Sequence, residues 1–239
     1  MTVADGDRVA QIRLKAAAII PAYREEKHIS DVVRRTRKQL DHVLVVDDGS
    51  GDRTAQSARE AGAEVIVHNQ NRGKGEAIKE GLRHWLDRQF MHVVILDGDG
   101  QHLPEEIERF IRAAALAADR SFFLGNRMNN LAAMPFIRRV VNRYMSNRIS
   151  RTCGQEIPDT QCGFRMLDRQ LIPELLVGAR RFDYETEMLI IASREGYRIE
   201  SVPITTVYSD EVSSIHPVRD TLRFFKLIRR YSKGWGNLP

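Results

Sequence analysis

The chain is expected to fold as one α/β domain, with a mostly parallel central sheet covered by helices on both faces. Three features of its 239 residues predict this. Short apolar runs recur along the chain, stretches with helical periodicity separate them, and a polar or glycine-bearing turn follows nearly every run. An apolar share of 42% over this length is enough for one substantial core.

The elements follow in order. Residues 1–14 read as a flexible polar tail. Ala16-Ala17-Ala18-Ile19-Ile20 reads as a buried strand stopped by Pro21. Further strands are predicted at His42–Val46, Ala63–Val67, Met91–Leu96 and Ser121–Leu124, each too short and too apolar for a surface helix. Helical stretches are predicted at about 25–40, 52–62, 74–89 and 104–118. Parallel strands need such crossovers, so the alternation implies a parallel sheet. The second half is less regular: a basic amphipathic stretch at 131–151, a glycine-containing segment at 159–165, a helix at 184–195 and a strand at 197–202. It completes the same domain, taken as 15–216, and 217–239 follows as a basic amphipathic helix. Neither an internal repeat nor a linker is visible.

A formal charge of +5 favours an anionic partner, whether nucleic acid, phosphorylated small molecule or acidic membrane surface. Cys153 and Cys162 fit neither a disulfide framework nor a four-ligand zinc site, which suggests free thiols in a reducing, cytoplasmic compartment. The N-terminus lacks the hydrophobic run of a signal peptide. Charges interrupt every apolar stretch before the ~18 residues of a membrane span.

Ligands of open α/β sheets bind at the carboxyl ends of the strands. Asp97-Gly98-Asp99 stands at such an end, and two carboxylates in one turn can reach a common hard cation while Gly98 and Gly100 let the backbone bend around it. Magnesium or manganese held this way completes its shell with substrate phosphates, which implies a nucleoside diphosphate. A solvated turn capping the helix near Pro104 is the alternative reading. An EF-hand is excluded, since His102 stands where that loop needs glycine. Asp47-Asp48-Gly49-Ser50 could offer a carboxylate to a ribose hydroxyl or base N–H, or cap the next helix. Asn71-Arg72-Gly73-Lys74-Gly75 fails both the Walker pattern and the dinucleotide fingerprint, but can place Lys74 at a diphosphate.

Taken in this order, Ile19-Ile20-Pro21-Ala22-Tyr23-Arg24-Glu25-Glu26, Val45-Val46-Asp47-Asp48-Gly49-Ser50, Asn71–Gly75 and Asp97-Gly98-Asp99-Gly100-Gln101-His102 resemble the family 2 glycosyltransferases of GT-A fold, in particular the dolichyl-phosphate mannose synthase-like branch. The resemblance covers about residues 16–230. It implies inverting transfer of a hexose from a nucleotide-diphosphate sugar of GDP-mannose or UDP-glucose type to a polyprenyl phosphate. Pro21, Ala22, Tyr23, Glu25 and Asp48 would line the nucleoside pocket, with Asp47 in support and Lys74 near the diphosphate. Asp97, Asp99 and Gln101 would hold Mg2+ or Mn2+, Asp99 foremost. Arg127, Asp159, Gly163 and Arg165 would face the sugar and the acceptor phosphate.

One departure matters. The branch offers cations in a loop after its last strand, where this chain has Tyr208-Ser209-Asp210-Glu211-Val212-Ser213-Ser214, so closure would fall to hydroxyls, His216 or Arg219. A phosphate acceptor needs no strong base. A hydroxyl acceptor, the alternative, needs one, and Asp183, Glu185 and Glu187 are candidates beside their reading as helix N-terminal acids. In 217–233 the cations gather on one arc and the apolar residues on the rest, which suits an interfacial helix on anionic lipid or one packed on the core. Nucleic acid is disfavoured because acids interrupt the basic residues and no aromatic-basic platform is visible. A nucleotidyltransferase should carry a glycine- and arginine-rich loop where Pro21-Ala22-Tyr23 stands.

Overall fold

A computed structural model describes residues 3–88, 90–117, 120–128, 136–177, 184–205 and 207. The segment 208–216, the amphipathic stretch 217–239, Asp183 and the start of the 131–151 stretch lie outside the described residues.

The parallel half is built as expected. Strands β1 (Ala16–Ala22), β2 (His42–Asp47), β3 (Glu64–Val67) and β4 (His92–Ile95) are all mutually parallel where they pair. Strand β1 is buried throughout and β2 at all but its first residue, as strands covered on both faces must be. Strands β5 (Ser121–Asn126), β6 (Arg165–Asp168) and β7 (Arg198–Pro203) complete a seven-stranded sheet of order β3-β2-β1-β4-β6-β5-β7. Strand β6 runs antiparallel to both neighbours, while β5 and β7 are parallel.

Helices α2 (Ile29–Arg37) and α3 (Thr54–Glu60) carry the chain from β1 to β2 to β3 in one direction across the sheet. Helix α4 (Lys74–Leu86) carries it back past β2 and β1 to β4. Right-handed crossovers in opposite directions must lie on opposite faces. Helix α4 therefore packs with α7 (Ile172–Val177) and meets the start of α8 (Tyr184–Arg194) through Gly75 and Lys74, and α8 packs with α6 (Phe136–Cys153), whereas α2 packs with α3 and α1 (Val3–Leu14) with α5 (Ile107–Leu116). The reversal falls between β1 and β4. By the rule for open α/β sheets, the binding crevice is expected there, at the carboxyl ends of the strands.

Packing explains the local choices. Gly81 in α4 lies so close to β1 that a Cβ would stand 2.7 Å from Ile19 Cγ2. Trp85, one turn on, is fully buried and donates to the Ala18 carbonyl at 3.3 Å. Across the sheet, the rings of Phe110 and Phe164 stack at 4.5 Å. Cys153 and Cys162 are free thiols.

Two expectations change. The tail predicted at 1–14 contains α1, whose Ile12 is buried and whose Val9 packs on the core. Arg8 donates to the Ala117 carbonyl at 3.0 Å, and Arg13 donates to the Gln39 carbonyl at 3.0 Å and pairs with Glu108. Apolar contacts this sparse between charged residues give little periodic signal, yet suffice once α5 offers a surface. Strand β6 begins at the last residue of the segment 159–165, read only as glycine-containing, and runs on through residues for which no element was predicted. It has four residues with an arginine and an aspartate at its ends, too little pattern to separate from a loop. Among the described residues no helix is long and apolar enough to cross a membrane.

Candidate active site

Five strand-end segments meet at the crevice. At the end of β1, Pro21 and Ala22 are buried, Tyr23 is 40% exposed, and Arg24 adopts φ 60. A non-glycine residue with positive φ is strained, and the surroundings hold it. The Arg24 amide donates to Ser50 Oγ and the Glu25 amide to Thr54 Oγ1, both at 2.9 Å. Asp47 Oδ1 in turn accepts from the Ser50 amide at 3.0 Å and from its hydroxyl. Asp47 therefore supports the β1 turn through Ser50.

Asp48 does something the sequence did not suggest. Its Oδ1 meets His68 Nδ1 at 2.7 Å and accepts from the Arg72 amide at 2.8 Å, while Oδ2 accepts from the Gly73 amide at 2.7 Å. The carboxylate is 4% exposed and its oxygens face the chain itself rather than an open pocket. The expectation that it lines the nucleoside pocket gives way to a clamp on residues 72–73, immediately before Lys74. His68 was missed because a histidine at a strand end carries no motif. Gly49 permits the close pass of this segment: a Cβ there would stand 2.6 Å from the Gln70 carbonyl carbon.

Lys74 opens α4 and points at the end of β4. Its Nζ lies 2.6 Å from Asp97 Oδ1 and 3.1 Å from Glu185 Oε1. The contact with Glu185 is a hydrogen bond, whereas Asp97 Oδ1 is buried without one and is faced by the ammonium as a charge. Burial alone would push the Asp97 carboxyl up, but Lys74, with His102 and Arg165 behind it, holds it down at about 2. Asp99 is pushed up, first by burial and then by Asp97. Its Oδ1 accepts from the Gln101 amide at 2.9 Å, and the half-buried Gln101 gives its carbonyl to the Val207 amide at 3.1 Å. His102, buried against Phe164, accepts from the Asp97 amide through Nδ1 at 3.3 Å, which leaves Nε2 carrying the proton. Burial above all lowers its pKa.

The opposite wall comes from β5 and the entry to β6. Arg127 forms a two-point ion pair with Asp159, Nε at 2.7 Å and Nη2 at 2.9 Å, and its amide also donates to that carboxylate at 3.1 Å. Asn142 adds a bond at 3.0 Å from α6. The Asp159 side chain has no solvent exposure. It therefore orients Arg127 and is not placed to touch an acceptor, contrary to its predicted role. Arg165 is corrected likewise. At 1% exposure it donates to the carbonyls of Cys162 at 3.0 Å, Thr160 at 3.4 Å and Glu185, so it ties β6 to α8 beneath the cleft instead of presenting a fork to phosphate. Gly163 lies against Asp97: a Cβ there would meet Oδ2 at 2.7 Å. Glu185 is drawn to Lys74, and Glu187 is buried.

No group of three or more His, Cys, Asp or Glu side chains able to hold a metal gathers among the described residues. The donor set still suits a hard cation that takes most of its shell from water and phosphate. Asp97 Oδ1 is buried with no hydrogen bond and only the Lys74 ammonium facing it as a charge, and the Asp99 carboxyl beside it is pushed up by burial first and by Asp97 second.

A mixed α/β sheet with its cleft at the β1/β4 reversal and two carboxylates at the end of β4 defines a GT-A fold. The family model described as "Glycosyl transferase family 2" matches residues 17–176, and the chain belongs to that family; it is a glycosyltransferase. A UDP-N-acetylglucosamine–dolichyl-phosphate N-acetylglucosaminyltransferase of Methanococcus voltae is 32% identical over 80% of this chain and 85% of its own length. Glycosyltransferase AglJ of Haloferax volcanii is 30% identical over 89% and 70%. The polyprenol monophosphomannose synthase of Mycolicibacterium smegmatis is 29% identical over 80% and 77%. Among solved structures, glucosyl-3-phosphoglycerate synthase from Mycobacterium tuberculosis with UDP superposes with a TM-score of 0.73 at 17% identity, over 95% of this chain and 83% of that one. That likeness is one of fold.

Proposed function

We propose that this enzyme moves a hexose, with inversion, from a nucleotide-diphosphate sugar of GDP-mannose or UDP-glucose type to a polyprenyl phosphate, using Mg2+ or Mn2+ held at Asp97 and Asp99, with Gln101 beside them. The observation that carries the reading is the convergence of Lys74, Asp97, Asp99 and Arg127 on one cleft between the β1–β4 half and the β5–β6 wall. Pro21, Ala22, Tyr23 and Glu25 would form the nucleoside side, with Asp47 and Asp48 fixing their loops. A bound divalent ion supplies charge to offset that growing on the departing diphosphate. Lys74, mounted on a clamped loop, adds a second positive charge to the leaving group, where it counts most in the transition state.

The acceptor is argued from charge. A phosphate oxygen is already ionised at neutral pH, so the site needs an orienting cation and no proton acceptor. Arg127, two-point bound to Asp159 and 18% exposed, presents such a cation at the cleft wall. Glu185, a candidate base for a hydroxyl acceptor, is instead engaged by Lys74 and lies 4.0 Å from Arg165. The names of the relatives from M. voltae and M. smegmatis support a lipid phosphate. We place the enzyme at the cytoplasmic membrane face, with the basic amphipathic stretch 217–239 meeting anionic lipid.

The test is transfer of labelled sugar from UDP- and GDP-sugars to a short polyprenyl phosphate with Mn2+, read as label extracted into organic solvent. Label should enter the organic phase only with metal, and Arg127→Ala should raise the acceptor's KM far more than the donor's. Transfer to a soluble hydroxyl compound, with none to the lipid and a pH profile set by a carboxylate, would refute the acceptor assignment.

A further inference from the structure

We infer that Lys74 is an internal counter-cation which must leave Asp97 before a divalent ion can be held there, so that the nucleoside diphosphate admits the metal by drawing Lys74 away. This rests on the metal-dependent reading above and adds an order of assembly to it.

Two observations carry it. The Lys74 ammonium lies 2.6 Å from Asp97 Oδ1, the position a metal ligand must offer to an incoming ion. The other side of that carboxylate is closed by Gly163, whose Cα approach is so tight that a Cβ would stand 2.7 Å from Oδ2 and 2.9 Å from Oδ1. An ion reaching Asp97 therefore meets an ammonium already in contact with the carboxylate. A single positive charge and a double one cannot share one carboxylate oxygen without strong repulsion.

The structure also supplies the means of exchange. Asp48 fixes the amides of Arg72 and Gly73, so the backbone beneath Lys74 is held while its four-carbon side chain, 39% exposed, can swing. Glu185 holds the ammonium at 3.1 Å from the far side and is itself shared with Arg165 Nη2 at 4.0 Å. A carboxylate already flanked by a second cation is a weaker partner than a diphosphate carrying two or more charges. Nucleotide thus takes Lys74, and Asp97, stripped of its counter-charge, takes the metal. By linkage each ligand must tighten the other by the same factor.

The experiment measures Mn2+ binding from the electron paramagnetic resonance signal of the free ion, with and without saturating UDP or GDP, in the full chain and in Lys74→Met and Glu185→Gln. In the parent, nucleotide should tighten Mn2+ by about tenfold or more, within the usual range of coupling between sites. Lys74→Met should bind Mn2+ alone more tightly than the parent and show a smaller coupling, the part that remains coming from phosphate oxygens bound to the ion itself. Glu185→Gln, which leaves Lys74 only Asp97, should bind Mn2+ alone more weakly; this opposite sign keeps the test alive if the lysine variant folds poorly. If Lys74→Met tightens Mn2+ relative to the parent by the same factor with nucleotide as without it, the coupling is unchanged, the effect is simple charge repulsion and the exchange is overturned. A parent chain that binds Mn2+ under neither condition overturns the metal-dependent reading together with it.

Discussion

Asp159→Asn is the most informative single change, because it keeps the shape of the side chain and removes only its charge. In the structure the carboxylate accepts from Arg127 at three nitrogens, from Asn142 and from the Gln161 amide at 3.3 Å, with no solvent exposure. An asparagine can accept through one oxygen alone, and its amide nitrogen would confront the Arg127 guanidinium. Removing one member of a buried pair costs about 3–5 kcal/mol; Arg127 keeps some access to water, so we expect the lower end, about 3 kcal/mol. For a chain of this length that corresponds to a melting point lower by about 6–12 °C. Arg127 holds the Asp159 carboxyl below its usual range against the effect of burial. Its folded pKa is thus lower than its unfolded one, so the stabilisation is complete above the unfolded value and disappears as pH falls through the folded one. The gap between parent and variant should be widest near neutrality and shrink below about pH 4, where an unfolded aspartate protonates. Urea unfolding followed by circular dichroism across that range measures it. The double variant with Arg127→Met should be less costly than the two singles summed. A loss under about 1 kcal/mol, or a gap indifferent to acid, would refute the account of Asp159 as the anchor of Arg127, since a buried unpaired donor alone costs about that much.

Three further outcomes are expected. Asp99→Asn should abolish most turnover with the circular dichroism spectrum unchanged, and near-normal turnover at saturating Mn2+ would contradict a metal role for Asp99. Asp48→Ala should lower stability by about 1–3 kcal/mol through the amides of Arg72 and Gly73, and calorimetry should show weaker nucleotide binding because the loop carrying Lys74 loosens; His68→Ala should act in the same direction, more mildly. Gly49→Ala and Gly51→Ala form a matched pair with φ 74 and φ 72, but only the first would drive a Cβ into backbone. Both should show the positive-φ cost of about 1–2 kcal/mol, and Gly49→Ala clearly more; equal melting points would mean that the 70–71 segment can simply move aside.

The parallel half of the fold was legible because its strands are doubly covered and read as unbroken apolar runs, with Asp47 at the end of one and Asp97 just past the end of another; Pro21 does not stop β1, which runs on to Ala22. The carboxylates of the metal-like turn were legible for the same reason. The side chains of Asp48, Asp159 and Arg165, expected to face ligands, are engaged in the structure by groups of the chain itself. A charged residue in a motif looks alike whether it meets a ligand or a backbone amide, and the difference lies in contacts from residues 20 or more positions away, such as His68 to Asp48 and Glu185 to Arg165. Helix α1 and strand β6 were hidden for a different reason: each depends on a surface supplied by another part of the chain.

The reversal of β6 has a consequence for how the cleft can vary. Every other strand on the β1–β4 side delivers its residues to the cleft on the way out of the sheet and returns through a crossover helix, whose span is fixed by the width it must cover. Strand β6 instead enters from the cleft, so the stretch from Asp159 to Phe164 arrives from α6 with no crossover to satisfy. One wall is thus tied to the architecture of the sheet and the other is free to lengthen. A single domain can keep the wall built by β1–β4 constant while the wall at the entry to β6 is rebuilt.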